Sequence, residues 1–216
     1  MSQGPTIHSG RVLRQMDHLI MALKVDVAAE RPDVLLSLYW IGYTVEMGDA
    51  ASGHVAYLWW TAPTGPRERE AALTDNPGLA EALGSRLRPA QWPMRDPGQA
   101  ALPATFERQV ARPYGIAYRV RADGLQVDAR WDDLGPPVFA SGPTRTGDAW
   151  IATMLVESFR PSATINGARQ TGTSFPNGIW RPWFGGDRGS CILGLGETIY
   201  DANADVSGAV ASGERV

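Results

Sequence analysis

Gly115-Ile116-Ala117-Tyr118-Arg119-Val120-Arg121, Ala122-Asp123-Gly124 and Leu125-Gln126-Val127-Asp128-Ala129-Arg130-Trp131-Asp132 read together as one β-hairpin. Ile116, Tyr118 and Val120 alternate with Ala117, Arg119 and Arg121. Leu125, Val127, Ala129 and Trp131 alternate with Gln126, Asp128, Arg130 and Asp132. A period of two with one apolar and one charged face marks strands that are covered on one side and wet on the other. Asp-Gly between them supplies the backbone freedom that a tight hairpin turn requires.

The same rhythm extends in both directions. Residues 34–47 form a long strand, with Leu35, Ser37, Tyr39, Ile41, Tyr43, Val45 and Met47 on one face and Leu36, Leu38, Trp40, Thr44 and Glu46 on the other. Both faces are largely apolar, so both are expected to be covered. Residues 48–53 are a turn, and residues 54–61 pair back, with Val55, Tyr57 and Trp59 alternating against His54, Ala56, Leu58 and Trp60. Downstream, residues 137–140, 148–160, 164–170, 179–184 and 190–201 read as further strands. With 24 Gly and 16 Pro spread along 216 residues, many short elements separated by turns fit better than a helical bundle.

Two stretches break the pattern. Val12, Leu13, Met16, Leu19, Ile20 and Leu23 recur three and four apart, which predicts an amphipathic helix within residues 10–30, stopped by Arg31-Pro32. Residues 62–112 read as a helix-and-loop insertion with a possible role as a lid. Within it, residues 67–73 are expected to form a short helix. A second helix starts at Asp75-Asn76-Pro77 and carries Leu79, Leu83 and Leu87 on one face. Residues 1–9 and 202–216 read as loose tails. The sum is one domain over residues 1–216, mainly β and antiparallel. About eight or nine strands suit a lipocalin-like β-barrel, which leaves no free edge, with a β-sandwich as the alternative.

Hydrophobic residues at 44% and charged residues at 20% support a packed core. A net charge of −3 argues against a general nucleic-acid binder. A single cysteine, Cys191, excludes an internal disulfide and a Cys-cluster zinc site. No apolar run is long enough for a spanning helix, and Met1-Ser2-Gln3-Gly4-Pro5 lacks the order of a secretory signal, so a cytoplasmic protein without integral membrane contact is expected. His8, His18 and His54 have no metal-ligand spacing, and no nucleophile elbow is present. Neither a metal nor another cofactor is expected.

Acid/base chemistry is the reading that remains. Glu157 shares a strand face with Ile151, Thr153, Leu155 and Phe159. Glu197 shares one with Cys191, Leu193, Leu195 and Ile199. A carboxyl on an apolar face is costly unless paired, and burial raises its pKa toward useful values. An ion pair with one of the many arginines, Arg181 or Arg119 for instance, or a strand-end position open to water, is the competing reading. Tyr39, Tyr43, Tyr57 and Trp59 lie on matching faces of one hairpin; turned inward, the phenols of Tyr39 and Tyr57 could donate to a developing oxyanion, and otherwise they are cross-strand packing. His54 lies on the opposite face, where a satisfied histidine is the expected role.

Thr171-Gly172-Thr173-Ser174-Phe175-Pro176-Asn177-Gly178-Ile179-Trp180-Arg181-Pro182-Trp183-Phe184 is the most distinctive segment. It resembles the region of the hydroxyneurosporene synthase and tocopherol cyclase superfamily in which a Gly, a Phe-Pro-like turn and a Trp-x-x-Trp-like strand border the pocket. The Asp/Asn-Trp-Gly signature of that region is replaced here by Gln170-Thr171-Gly172, and the chain is long enough for one barrel rather than two. The resemblance implies cofactor-free cyclisation, hydration or isomerisation of an apolar polyene, terpenoid or polyketide. Glu157, Glu197, Tyr39 and Tyr57 are the catalytic expectations. Tyr43, Trp59, Phe175, Trp180, Arg181 and Trp183 are expected to bind a small hydrophobic molecule, and a homodimer is compatible with the chain. A non-catalytic carrier of a hydrophobic ligand is the alternative.

Overall fold

The computed structural model describes residues 10–26, 28–45, 47, 52–62, 68–87, 100–111, 114–144, 147–170 and 172–201. In chain order the elements are β1 (Arg11–Lys24), β2 (Val34–Thr44), β3 (Gly53–Thr61), β4 (Glu68–Thr74), α1 (Pro77–Leu87), β5 (Leu102–Ala111), β6 (Gly115–Ala122), β7 (Leu125–Leu134), β8 (Val138–Pro143), β9 (Trp150–Ile165), β10 (Ala168–Gln170), β11 (Thr173–Ser174), β12 (Pro176–Asn177), α2 (Arg181–Phe184), β13 (Arg188–Gly189) and β14 (Ile192–Asp201). Nine of them close a barrel in the order β9-β14-β1-β2-β3-β4-β5-β6-β7, and β7 returns to β9. The barrel is mixed, because β5 joins β4 in parallel at Leu73–Leu102 and Thr74–Pro103 after the α1 crossover.

Register fixes what faces inward. Leu23, Val34 and Trp60 form one row across β1, β2 and β3. Met21, Leu36 and Leu58 form the next, and Leu19, Leu38 and Ala56 the third. The apolar face of the β6–β7 hairpin meets them from the opposite wall. Trp131, 0% exposed, spans the gap and donates its indole N–H to the Ile20 carbonyl at 2.8 Å. In these rows the interior is filled by the chain's own side chains.

The outer wall carries two covers. Leu79, Leu83 and Leu87, one stripe of α1, bury against Tyr39, Ile41, Val55, Tyr57 and Ala72 of β2, β3 and β4. Each leucine contributes about 1.5–3 kcal/mol by leaving water. Asn76 caps this helix by accepting from the Leu79 N–H at 3.2 Å, ahead of Pro77. On the far side, Trp180 and Ala140 pack on Leu155 and Ile192, with Ile20, Trp183 and Phe184 around them.

Four expectations are corrected. The helix within residues 10–30 is β1, a strand of 14 residues. Leu19, Met21 and Leu23 point in while Met16 and Ile20 lie under the outer covers, so both faces are apolar and the period-two signal disappears. The short helix expected over residues 67–73 is replaced, from residue 68 on, by β4, because Ala71 and Leu73 fill the barrel while Ala72 lies under α1. Residues 179–184 form a 3₁₀ turn (Gly178–Trp180) and α2, since Pro182 opens a helix readily but cannot donate to a ladder. Residues 164–170 belong to a hairpin of β9 and β10, turned at Asn166 and Gly167 with φ of 49° and 78°. The tails at 1–9 and 202–216, residues 48–51 of the expected turn, and residues 63–67, 88–99 and 112 of the insertion lie outside the described residues.

Candidate functional site at the barrel mouth

One row above Leu19, Leu38 and Ala56, the inner face changes character. Asp17, Trp40 and His54 occupy matching positions on β1, β2 and β3. β3 begins and β4 ends at this height, whereas β5 runs on, paired only with β6 beyond Pro103. The wall is therefore open here, and Trp40 is 40% exposed where the rows beneath are sealed.

The opening gathers a set of polar and aromatic groups. The carboxylate of Asp75, at the junction of β4 and α1, accepts from the backbone N–H of His54 at 2.6 Å and meets its ring Nδ1 at 2.7 Å. A carboxylate only accepts, so Nδ1 carries a proton, and in the neutral ring Nε2 then presents a lone pair. Among the described residues Nε2 has no partner. The imidazole stacks on Phe106 of β5 at 4.6 Å and 5°, and meets the edge of Tyr118 of β6 at 5.8 Å and 70°. Across the opening, Arg108 donates to Asp17 Oδ2 at 3.2 Å, and Asp17 Oδ1 accepts from the Gly196 N–H at 2.8 Å. Burial lifts the Tyr118 phenol above its ordinary pKa, while neighbouring Arg108 pulls against that shift.

This arrangement offers a base with a fixed tautomer, flat apolar walls, and a guanidinium beside a phenol that can both donate to an oxygen. Among the described residues no group of three His, Cys, Asp or Glu gathers that could hold a metal ion. No helix among them is long and apolar enough to cross a membrane.

The residues singled out from sequence lie elsewhere, on the outside of the barrel. Tyr39 and Tyr57 are buried beneath α1 and donate their hydroxyls to the carbonyls of Leu87 at 2.8 Å and Gly84 at 3.1 Å, within the last turn of the helix. Burial raises the Tyr39 phenol far above its usual range. Trp59 is buried opposite Leu35 and Glu70, and Tyr43 is exposed at the end of β2. Glu157 accepts from the Gly189 N–H at 3.2 Å and lies 3.8 Å from Arg188 Nη1, so it has the arginine partner that the competing reading expects, though neither of the two given as examples. Arg181 pairs with Asp187 in solvent, and Arg119 with Asp128. Trp180 donates to Ser190 Oγ at 3.3 Å, Trp183 lies over Gly142, and Phe175 lies under the Lys24 ammonium at 5.5 Å. The segment from 172 to 184 thus caps the outside of the barrel.

Glu197 also points outward, and this corrects its expected grouping with Leu193 and Leu195. Gly196, at φ 59°, inserts a β-bulge, and the register on β9 jumps between Leu195 and Thr198. One extra residue reverses the alternation, so Glu197 stands opposite Met16 on the outer wall. Asp17, Asp75, Phe106, Arg108 and Tyr118 were not singled out from sequence. Their signal was the inner parity of β3 together with the Asp-Asn-Pro helix start, which places Asp75 beside the first residues of that strand. No protein-family model, curated protein or solved structure matches the chain.

Proposed function

We propose that the protein is a cofactor-independent, cytoplasmic enzyme of the isomerase or lyase type, acting on a small hydrophobic molecule held at the mouth of a lipocalin-like barrel. The observation that carries this reading is the His54–Asp75 pair, stacked on Phe106 at the one height where the described interior turns from apolar to polar. A flat apolar substrate slides between Phe106 and Trp40. His54 Nε2 takes a proton from the carbon next to a carbonyl, the electron pair of that C–H bond moves onto the carbonyl oxygen, and Arg108 and Tyr118 donate to the oxygen as it gains charge. When the substrate is a β,γ-unsaturated ketone, return of the proton to the γ carbon as the carbonyl re-forms shifts the double bond into conjugation, an isomerisation with no net change in atoms or electrons. The same reaction class is what the resemblance of residues 171–184 implies.

The test is deuterium uptake from D2O by a panel of apolar ketones, followed by proton NMR. The expected outcome is exchange on at least one ketone class that slows by about 10²–10⁴-fold in His54→Gln. Affinity in that variant stays within about tenfold, whereas Phe106→Ala weakens binding further. Exchange that survives His54→Gln overturns the reading, and saturable binding without exchange assigns the protein as a carrier.

A further inference from the structure

The wall continues above the core, and there its inner face is the exposed one. β1, β2, β14, β9 and β8 run on past the start of β3, as far as Arg11, Thr44, Asp201, Trp150 and Pro143. Their outer face stays covered, with Ala140, Thr153, Leu155, Glu197, Arg14 and Thr44 all buried. On the inner face Phe139 is 86% exposed, and Val12, Trp40, Tyr43 and Trp150 are exposed as well. A strand with one wet face ordinarily turns polar side chains to water. Aromatic side chains gathered on the wet face mark a binding surface.

Register gives that surface its shape. Ser141, Ala152 and Thr198 stand side by side on β8, β9 and β14. Phe139, Met154 and Leu195 form the row beneath them, and Pro143, Trp150 and Tyr200 the row above. Small side chains between two bulkier rows make a trough that crosses the strands. It continues past Gln15 and Tyr43 to reach Trp40 at the mouth. From β2 to β8 is four strand steps, about 19 Å. Among the described residues of this face Asp17 alone is charged, and it is already bonded to Arg108 and to the Gly196 N–H. A charged ligand would lose hydration here without gaining a partner. A long, narrow and uncharged trough matches a linear hydrocarbon chain.

We propose that the trough binds the linear, uncharged acyl chain of a long-chain ketone, with the carbonyl end at the mouth. That His54 then faces the carbonyl rests on the function proposed above, whereas the binding of the chain does not.

The experiment is a titration of the whole chain with 2-hexanone, 2-nonanone and 2-dodecanone, each below its solubility limit, followed by amide chemical shifts in NMR. Affinity is expected to rise about two- to fourfold for each added methylene. Shifts should reach Thr198 and Ala152 only with the longer ketones. Ala152→Phe fills the trough and Thr198→Asp puts a charge in it. Each should weaken 2-dodecanone at least tenfold and leave 2-hexanone within twofold, and the retained 2-hexanone affinity reports an intact fold and mouth. His54→Gln should keep the gain with chain length, so loss of proton transfer and loss of chain binding read out separately. Equal affinity for all three ketones overturns the proposal, as does a gain that both substitutions leave in place. So does equal weakening of all three ketones by both substitutions, because the added methylenes would then lie outside the trough.

Discussion

The two faces of the barrel wall handle polar side chains by different rules. Inside, polarity depends on height: three apolar rows end in a single step at Asp17, Trp40 and His54. Outside, it depends on cover. Tyr39 and Tyr57 are bonded to the end of α1, Glu157 is bonded to β13, Glu197 is buried with the Arg14 charge acting on it, and the Thr153 hydroxyl stays buried without a partner. A closed barrel admits water only at its ends, so an inward polar group is affordable only near an opening. An outward group must find its partner in whatever element lies on top of it.

The height rule is broken most directly by comparing two tryptophans on the same inner face. Trp131→Ala empties the sealed centre and strands the Ile20 carbonyl, and is expected to cost about 3–5 kcal/mol. Trp40→Ala at the mouth removes a side chain that already meets water, and under about 1 kcal/mol is expected. Urea midpoints measure both, and equal losses would remove the distinction between centre and mouth.

The cover rule makes a prediction about pH. Glu197, with a folded pKa of about 7, binds a proton more tightly in the native state than in the unfolded chain. Its contribution is complete at acid pH and is lost as pH rises from about 4.5 through 7, a span worth roughly 3 kcal/mol. His18 stacks on Tyr39 at 4.0 Å and bonds Ser37 Oγ at 2.7 Å, and burial pulls its pKa down to about 3. It is native when neutral, so its contribution is lost as pH falls from about 6.5 toward 3. Arg14, Asp17 and Tyr39 are the other titratable groups around this pair. Between pH 4.5 and 6.5 the two slopes oppose each other and leave a plateau. In Glu197→Gln the fall above pH 6.5 is expected to disappear, and in His18→Gln the fall below pH 4.5 should shrink. A pH series of urea melts decides both, and an unchanged alkaline limb in Glu197→Gln would show that the carboxyl is not buried in the fold.

The barrel was legible where one face of a strand is wet. The β6–β7 hairpin stands where alternation and turn chemistry put it, because Arg119, Asp128 and Arg130 mark the outside plainly, and β2, β3 and β14 stand within a few residues of their expected bounds. β1 was not legible, since the covers on its outer face erase the polar half of the pattern and leave spacings that suit a helix equally well. β4 failed for the same reason. The strand faces holding Tyr39, Tyr57 and His54 were grouped correctly, but nothing in period two says which face is the inside. The tyrosine face is the outer one, and His54 stands on the inner face. Gly196 hid the last piece: a single left-handed residue reverses every later side chain, and one glycine among 24 carries no mark of doing so.

The smallest effect sharpens the cover rule. Tyr39→Phe and Tyr57→Phe keep both rings packed under Leu79, Leu83 and Leu87 and remove only the hydroxyls that meet the last turn of α1. Each is expected to cost about 1 kcal/mol, the net worth of one hydrogen bond to a helix-end carbonyl. The loss should be local, seen as faster amide exchange in α1 with the barrel strands unchanged, because the phenols tie the helix to the wall and the wall is closed without them. If exchange instead quickens at His54 and Asp75, then the seating of α1 also sets the geometry of the mouth. The connection would be short, since Thr74 bonds the His54 carbonyl at 2.7 Å and Asn76 caps the helix on the very next turn of chain.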